Sequence, residues 1–340
     1  MKELIYQGSV KNLFSLGPDI LFEYSDRYSL FDWGEMPDHI EKKGECLALM
    51  GALFFQKLSA HHVPHHFLHV SDDNGKDVGL VPTRYLKVKH VPVRRPEIIH
   101  GKYDYSFYQV RPQQGLVPLE VIFRFGLGKG SSLTKRLQEN PSLIKQWGKT
   151  ELKEGVLFDE PIIDFSTKLE KGDRYITHVE AKYLAGMTDM EMDNLIQESI
   201  KVAKLIKTIS QEMGLTLWDG KMEWAFKAGS PRSFILVDSI GLDELRLEKN
   251  GFSLSKEFLR ESYRETSWFQ ELTTAKHLSL KSGTDFKLLC PNEPPKLSTR
   301  DKILAEALYL SYTNTLSQNI TGKFLFPEIY QVKNWPEAFV

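Results

Sequence analysis

An α+β fold in two lobes is what this sequence predicts, and three observations predict it. The first 125 residues are dense in short apolar runs separated by turns. A long amphipathic helix with clear start and stop signals falls after residue 188. The 340 residues exceed one domain at about 150 residues each. A boundary near Leu116 divides a β-rich lobe, residues 1–115, from a mixed lobe, residues 116–340. Ligands favour the crevices that such lobes make.

In chain order, Leu4-Ile5-Tyr6 and Leu13-Phe14-Ser15-Leu16 read as strands about the small-residue turn Gln7-Gly8-Ser9-Val10. Ile20-Leu21-Phe22-Glu23-Tyr24 is a third strand. Leu47, Met50, Leu53, Phe54 and Leu58 recur at three- and four-residue steps, which predicts a helix over residues 46–58. Further strands are expected at residues 65–70, 85–88, 106–110 and 119–125. The stretch Gly126-Leu127-Gly128-Lys129-Gly130-Ser131-Ser132 opens a short helix. Thr188 and Glu191 have capping-box spacing and Gly214 is a stop, so a helix spans residues 189–213. Met192, Leu195, Ile196, Val202, Leu205, Ile206 and Ile209 form its buried face. Two strands follow, residues 215–226 and 233–237, joined through Lys227-Ala228-Gly229-Ser230-Pro231-Arg232. The proline-rich run Pro291-Asn292-Glu293-Pro294-Pro295 leads to a last helix from Ser298, with Asp301 at its third position.

Composition removes whole classes of function. Hydrophobic residues at 41% and charged residues at 26% exclude disorder, collagen and a simple coiled coil. Lys and Arg number 44 against 45 Asp and Glu, a net charge of −1 that argues against a nucleic-acid partner but leaves a local basic pocket open. No apolar run reaches 18 residues, so no membrane span is expected, and Met1–Tyr6 begins no apolar region of signal-peptide length, so no leader is expected. Cys46 and Cys290 are too few for a disulfide framework or a zinc cage. The cytoplasm is the expected location.

Three groups could carry chemistry. Gly8-Ser9-Val10-Lys11, between two strands, could close over phosphates with backbone N–H groups and an ammonium, or be a plain hairpin. Asp26, Ser29 and Asp32 sit at a strand end, where sites occur, though a surface turn with local ion pairs has the same pattern. In Trp218-Asp219-Gly220-Lys221-Met222-Glu223-Trp224, residues two apart share a strand face. Asp219, Lys221 and Glu223 therefore project together, as a solvated face or as a carboxylate–ammonium–carboxylate line. If the next strand pairs with this one, Asp238 could join Glu223 as an oxygen ligand for Mg2+. His61, His62, His65, His66 and His69 crowd together, but Pro64 breaks any helix through them, and a structural role is the expectation.

The order of these pieces resembles the SAICAR synthase family of purine biosynthesis. Tyr6-Gln7-Gly8-Ser9-Val10-Lys11 is similar to its opening glycine loop, and Asp26-Arg27-Tyr28-Ser29 with Asp32 to its D-R-x-S-x-x-D segment. Lys43-Gly44, Val63-Pro64-His65-His66-Phe67, and Val117-Pro118-Leu119-Glu120 with Arg124 follow in family order. So do Ser166-Thr167-Lys168-Leu169-Glu170, Asp219-Gly220-Lys221-Met222-Glu223, and Asp238 with Asp243 and Arg246-Leu247. The resemblance runs over residues 4–250 and implies an ATP-grasp-like or kinase-like two-lobed fold with mostly antiparallel sheets, the first lobe covering ATP. It implies a ligase that uses ATP and Mg2+ to join the carboxylate of the aminoimidazole ribonucleotide CAIR to the amine of L-aspartate. Gly8, Ser9, Lys11, Val117, Leu119, Glu120 and Lys168 would then bind ATP, and Glu223 and Asp238 the metal. Asp26, Ser29, Asp32, Arg124, Ser131 and Arg246 would bind substrate, with Lys221 and Asp219 catalytic. The chain differs from the family pattern at Ser9, at Ser239, at Arg174-Tyr175 and in a glycine loop two residues longer. These differences keep open a ligase or phosphotransferase with another substrate, and a silent homologue used for binding. Oligomeric assembly is also left open.

Overall fold

The computed structural model describes residues 2–128, 130–149 and 151–339. Lys129, within the expected glycine loop, lies outside the described residues. Antiparallel strands β1 (Glu3–Gln7), β2 (Lys11–Leu16) and β3 (Asp19–Tyr24) open the chain where the apolar runs place them. Helix α1 (Lys43–Ala60) and strands β4 (Phe67–Ser71) and β5 (Tyr85–Lys89) follow. The five strands make one sheet, ordered β1-β2-β3-β5-β4.

A small hairpin, β6 (Glu97–Ile99) and β7 (Lys102–Asp104), leads to a correction. Residues 106–110, expected as a strand, form helix α2 (Ser106–Gln109). The Asp104 carboxylate accepts from the backbone N–H and the hydroxyl of Ser106, both at 2.9 Å, and this local turn leads into the helix, whose N-cap is Tyr105. It overrides the β preference of Phe107 and Tyr108, which is a weak prior outside a sheet.

The second sheet has seven strands among the described residues. Its strands are β8 (Gly115–Gly126), β9 (Leu157–Thr167), β10 (Tyr175–Ile176), β11 (Thr216–Lys227), β12 (Ser233–Val237), β13 (Leu245–Lys249) and β14 (Phe252–Ser253). Their order is β10-β9-β8-β11-β13-β14, with β12 also on β11. Helices α3 (Ser132–Glu139), α4 (His178–Leu184) and α5 (Asp189–Glu212) belong to the same stretch of chain. Four helices close the chain: α6 (Lys256–Arg264), α7 (Ser267–Ser282), α8 (Phe286–Leu289) and α9 (Thr299–Thr321).

Helix α5 begins at the expected capping box: Thr188 accepts from the Glu191 N–H, and Glu191 accepts from the Thr188 N–H. It packs on β8, β9 and β11. Leu195, Val202, Ile206 and Ile209 are buried on it, at roughly 1.5–3 kcal/mol per side chain. Val121, Phe123 and Phe125 line the face of β8 that meets α5, as the Lys207 ammonium 4.4 Å from the Phe125 ring shows. Gly220 on β11 sits across from Phe123, where a Cβ would meet the ring at 2.5 Å, so only glycine fits. Alternation sends every second residue of β8 and β11 to the opposite face.

The described residues gather into two compact units. One holds those of 1–52, 69–88 and 252–340; the other holds those of 53–68 and 89–251.

Candidate active site

The face of the second sheet away from α5 is built from charged rows. Glu120 on β8 stands across from Glu223 on β11 and Ser166 on β9. Ile122 stands across from Lys221 and Asp164, and Arg124 across from Asp219 and Ile162. Arg246 on β13 pairs with Asp219 from the other side. Cross-strand partners share a face. The period-two pattern of Asp219, Lys221 and Glu223 therefore continues across four strands.

Two clusters result. In the first, Glu120 Oε1 is 2.9 Å from Lys221 Nζ and 3.2 Å from Lys168 Nζ, and Lys168 Nζ reaches Glu223 Oε1 at 2.6 Å. Burial pushes the Glu120 carboxyl up, but the Lys221 and Lys168 ammoniums outweigh it and hold it below the usual carboxylate range. Burial works against both ammoniums in turn. Glu223 and Glu120 keep Lys168 above its ordinary value, and Glu120 does the same for Lys221. Both lysines stay charged through the neutral range, so neither serves as a base. They can neutralise an anion.

The second cluster surrounds Arg124, which is 2% exposed. Its Nη1 donates to Asp219 Oδ2 at 3.1 Å and to the Ser131 hydroxyl at 3.4 Å, and its Nη2 donates to the Ser132 hydroxyl at 3.4 Å. Nη2 also lies 3.5 Å from Asp164 Oδ2. Arg246 Nη1 reaches the same Asp219 oxygen at 3.2 Å. Arg136 on α3 is ion-paired to Asp164, and its guanidinium lies 4.0 Å from the Tyr175 ring. The Tyr175 hydroxyl is 2.7 Å from that of Ser132. Sequence reasoning missed Asp164 and Arg136, and flagged Tyr175 only as a departure from the family pattern. The one available signal was a carboxylate inside the apolar run Pro161-Ile162-Ile163-Asp164-Phe165.

Val117 and Leu119 are fully buried and alternate with the charged face, so they can offer a ligand only backbone groups. Asp238 follows directly on Val237, the register partner of Glu223, and takes a left-handed backbone at φ +66°. The structure thus places Asp219, Lys221, Glu223, Asp238, Glu120, Lys168, Arg124, Ser131 and Arg246 in one unit. Among the described residues, no group of three His, Cys, Asp or Glu side chains is arranged as a metal cage. Oxygen donors from Glu223 and Asp238 suit a cation that takes few protein carboxylates.

The remaining expected site residues lie in the other unit. The Gly8 N–H donates to Lys11 O at 2.9 Å, and a Cβ at Gly8 would meet that oxygen at 2.8 Å, so the tight turn requires glycine. Arg27 donates to Gly8 O at 3.0 Å, and Lys11 Nζ lies 4.5 Å from the Phe22 ring. Ser9 is part of this turn. Asp26 accepts from the Gly44 N–H at the start of α1 and pairs with Arg84 at 3.3 Å. Ser29 forms a single bridge to Glu35. Asp32 pairs with Lys276 at 2.9 Å and is largely exposed.

The family model for SAICAR synthetase matches residues 4–275. The chain belongs to the SAICAR synthetase family. A relative from Archaeoglobus fulgidus, provisionally named phosphoribosylaminoimidazole-succinocarboxamide synthase, is 36% identical over 96% of this chain and 97% of its own length. A Thermoplasma volcanium protein of that name is 28% identical over 90% of this chain and 98% of its own. The fold matches a SAICAR synthase from Saccharomyces cerevisiae in complex with SAICAR, with a TM-score of 0.63 and 22% identity over 95% of this chain and 96% of the other. A SAICAR synthetase in complex with ADP matches with a TM-score of 0.56 and 22% identity over 86% of this chain and 99% of the other. The chain is an enzyme, a ligase of the phosphoribosylaminoimidazole-succinocarboxamide synthase class.

Proposed function

We propose that the charged sheet face joins the carboxylate of CAIR to the amine of L-aspartate at the expense of ATP. The observation that carries this reading is the pairing, on one face of β8 and β11, of a lysine–glutamate cluster with an arginine–aspartate cluster. A carboxylate is a poor acylating group because its leaving group would be oxide. Transfer of the γ-phosphoryl group breaks the Pγ–O bond to ADP and forms an acyl phosphate. The amine nitrogen then attacks the acyl carbon, the carbon–oxygen bond to phosphate breaks, and the nitrogen gives up a proton.

Lys221 neutralises charge on the phosphoryl group as it moves, which its persistent ammonium suits. Lys168, just past the end of β9, assists, and Glu120 sets the position of both lysines. Arg124, Ser131 and Arg246 grip the 5′-phosphate, since guanidinium forks match phosphate oxygens. Asp219, bonded to both arginines, orients them and the substrate. Gly8, Ser9 and Lys11 hold ATP phosphates, and the backbone of Val117, Leu119 and Glu120 lines the adenine. Asp26, Ser29 and Asp32 belong with substrate binding. Glu223 and Asp238 would hold Mg2+, which when bound would screen the phosphate oxygens.

An ADP-release assay with CAIR and aspartate, each omitted in turn, tests the reading. Release should require both. A second reading, another amine, is favoured by one observation. Where the family pattern has His-Asp, Arg174 is tied to Glu170 and Glu180, and the Tyr175 hydroxyl enters the Arg124 cluster through Ser132. ADP release that needs an amine other than aspartate would replace the first reading with the second.

A further inference from the structure

We propose that His66 is a positioning residue that fixes Asp238 beside Glu223. This rests on the reading of Asp238 as a metal ligand. His66 is 2% exposed, and its Nε2 lies 3.0 Å from the backbone oxygen of Asp238. A carbonyl oxygen can only accept, so Nε2 carries the proton in this contact. The ring is held edge-on to Phe55, with centroids 5.6 Å apart. Its backbone is held too: the His66 N–H donates to Leu236 O at 3.1 Å, and His66 O accepts from the Lys89 N–H at 2.8 Å. Leu236 N–H donates to Pro64 O at 2.9 Å, so residues 64–66 run beside β12 as a short extra ladder.

What this arrangement steadies is a costly conformation. Asp238 is a non-glycine residue at φ +66°, where the Cβ crowds its own carbonyl. Such conformers persist where the surroundings over-determine them, and they gather at functional sites. The left-handed residue ends the alternation of β12 one position after Val237, the partner of Glu223. An ordinary extended residue there would send its side chain to the face opposite Glu223. The imidazole grips the carbonyl of the very residue that makes the turn. His66 thus touches no substrate; it holds the backbone turn from which the Asp238 side chain leaves β12.

The test reads metal binding without turnover. Mn2+ is titrated into the protein with saturating ADP and followed by electron paramagnetic resonance. His66→Phe keeps a ring against Phe55 and removes the donor. Its Mn2+ dissociation constant should rise about 10-fold or more, as for other groups that orient metal ligands. ADP affinity without metal should stay unchanged. His66→Gln, whose amide can reach the same carbonyl, should restore most of the metal affinity. If Asp238→Asn loses Mn2+ and His66→Phe does not, the positioning role is overturned while the metal reading stands. If neither variant loses Mn2+, the metal reading fails and takes the positioning role with it. Should His66→Phe not fold, nitrogen-15 NMR of the wild-type imidazole decides. A proton on Nε2 is required, and a proton on Nδ1 alone overturns the role.

Discussion

Arg124 and Arg246 share one oxygen of Asp219, yet substitution should separate them. Removing Arg124 would take from Asp164 and Asp219 the most deeply buried of their cations and leave them Arg136 and Arg246, a loss of at most about 3–5 kcal/mol that reads as destabilisation. Arg246 is more accessible and bonds only at the edge of the cluster. Arg246→Ala should therefore fold. It should raise the KM for the ribonucleotide about 10-fold or more, the loss of a charge-assisted hydrogen bond, while the KM for ATP hardly moves. Equal rises in both would remove Arg246 from the phosphate grip. Glu191 makes a different prediction. It is fully buried, and Arg232 and backbone N–H groups outweigh that burial and hold its carboxyl down at about 2. A depressed carboxyl contributes stability above its unfolded value of 4.5 and loses it as pH falls toward 2. That contribution is on the order of 3 kcal/mol. Glu191→Gln should be less stable at neutral pH and should show a flatter loss of stability between those limits in denaturant titrations. Of these residues, Asp219, Lys221 and Glu223 were legible from their period of two. Asp164 was not, because nothing local says that a strand some forty residues along lies beside Arg124.

Helix α5 shows what an element needs to be read from sequence. Its capping box, apolar stripe and terminal glycine are all local signals; the box and the glycine agree with the structure, and so does the stripe except at Ile196 and Leu205, which are half-buried. Thr188→Ala should cost about 0.5–2 kcal/mol in equilibrium unfolding. Because α5 backs β8, β9 and β11, the loss should also lower the temperature at which activity fails. An unchanged melting midpoint would mean that the cap is solvent-replaced. Helix α9 is the opposite case. Nearly every residue from Leu304 to Ser317 is buried, so no stripe stands out, and sequence reading found only its start at Ser298 and Asp301. Strand β9 escaped for a related reason: buried on both faces over its second half, it shows no alternation. The short α2 was misread because a local turn through Asp104 and Ser106 decided it.

At the scale of the whole molecule, the family and its reaction were legible from eight short motifs in order, whereas the way residues 252–340 join the N-terminal strands in one unit was not. That joining depends on contacts more than 150 residues apart, such as Tyr28 OH to Tyr263 OH at 2.8 Å. Ligand binding should be visible at this scale. Mg-ATP at a hundredfold excess over its Kd should add about 2.7 kcal/mol of stability and raise the melting temperature. No shift at millimolar Mg-ATP would count against nucleotide binding. The two-faced sheet also dictates how such a chain can drift. A one-residue deletion within 219–223 would turn Gly220 and Met222 toward the ligand and drive charges under α5, so those strands can evolve by replacement but not by change of length. Insertions must settle in the connections. The glycine-rich connection between the end of β8 at Gly126 and the start of α3 at Ser132 is one such place.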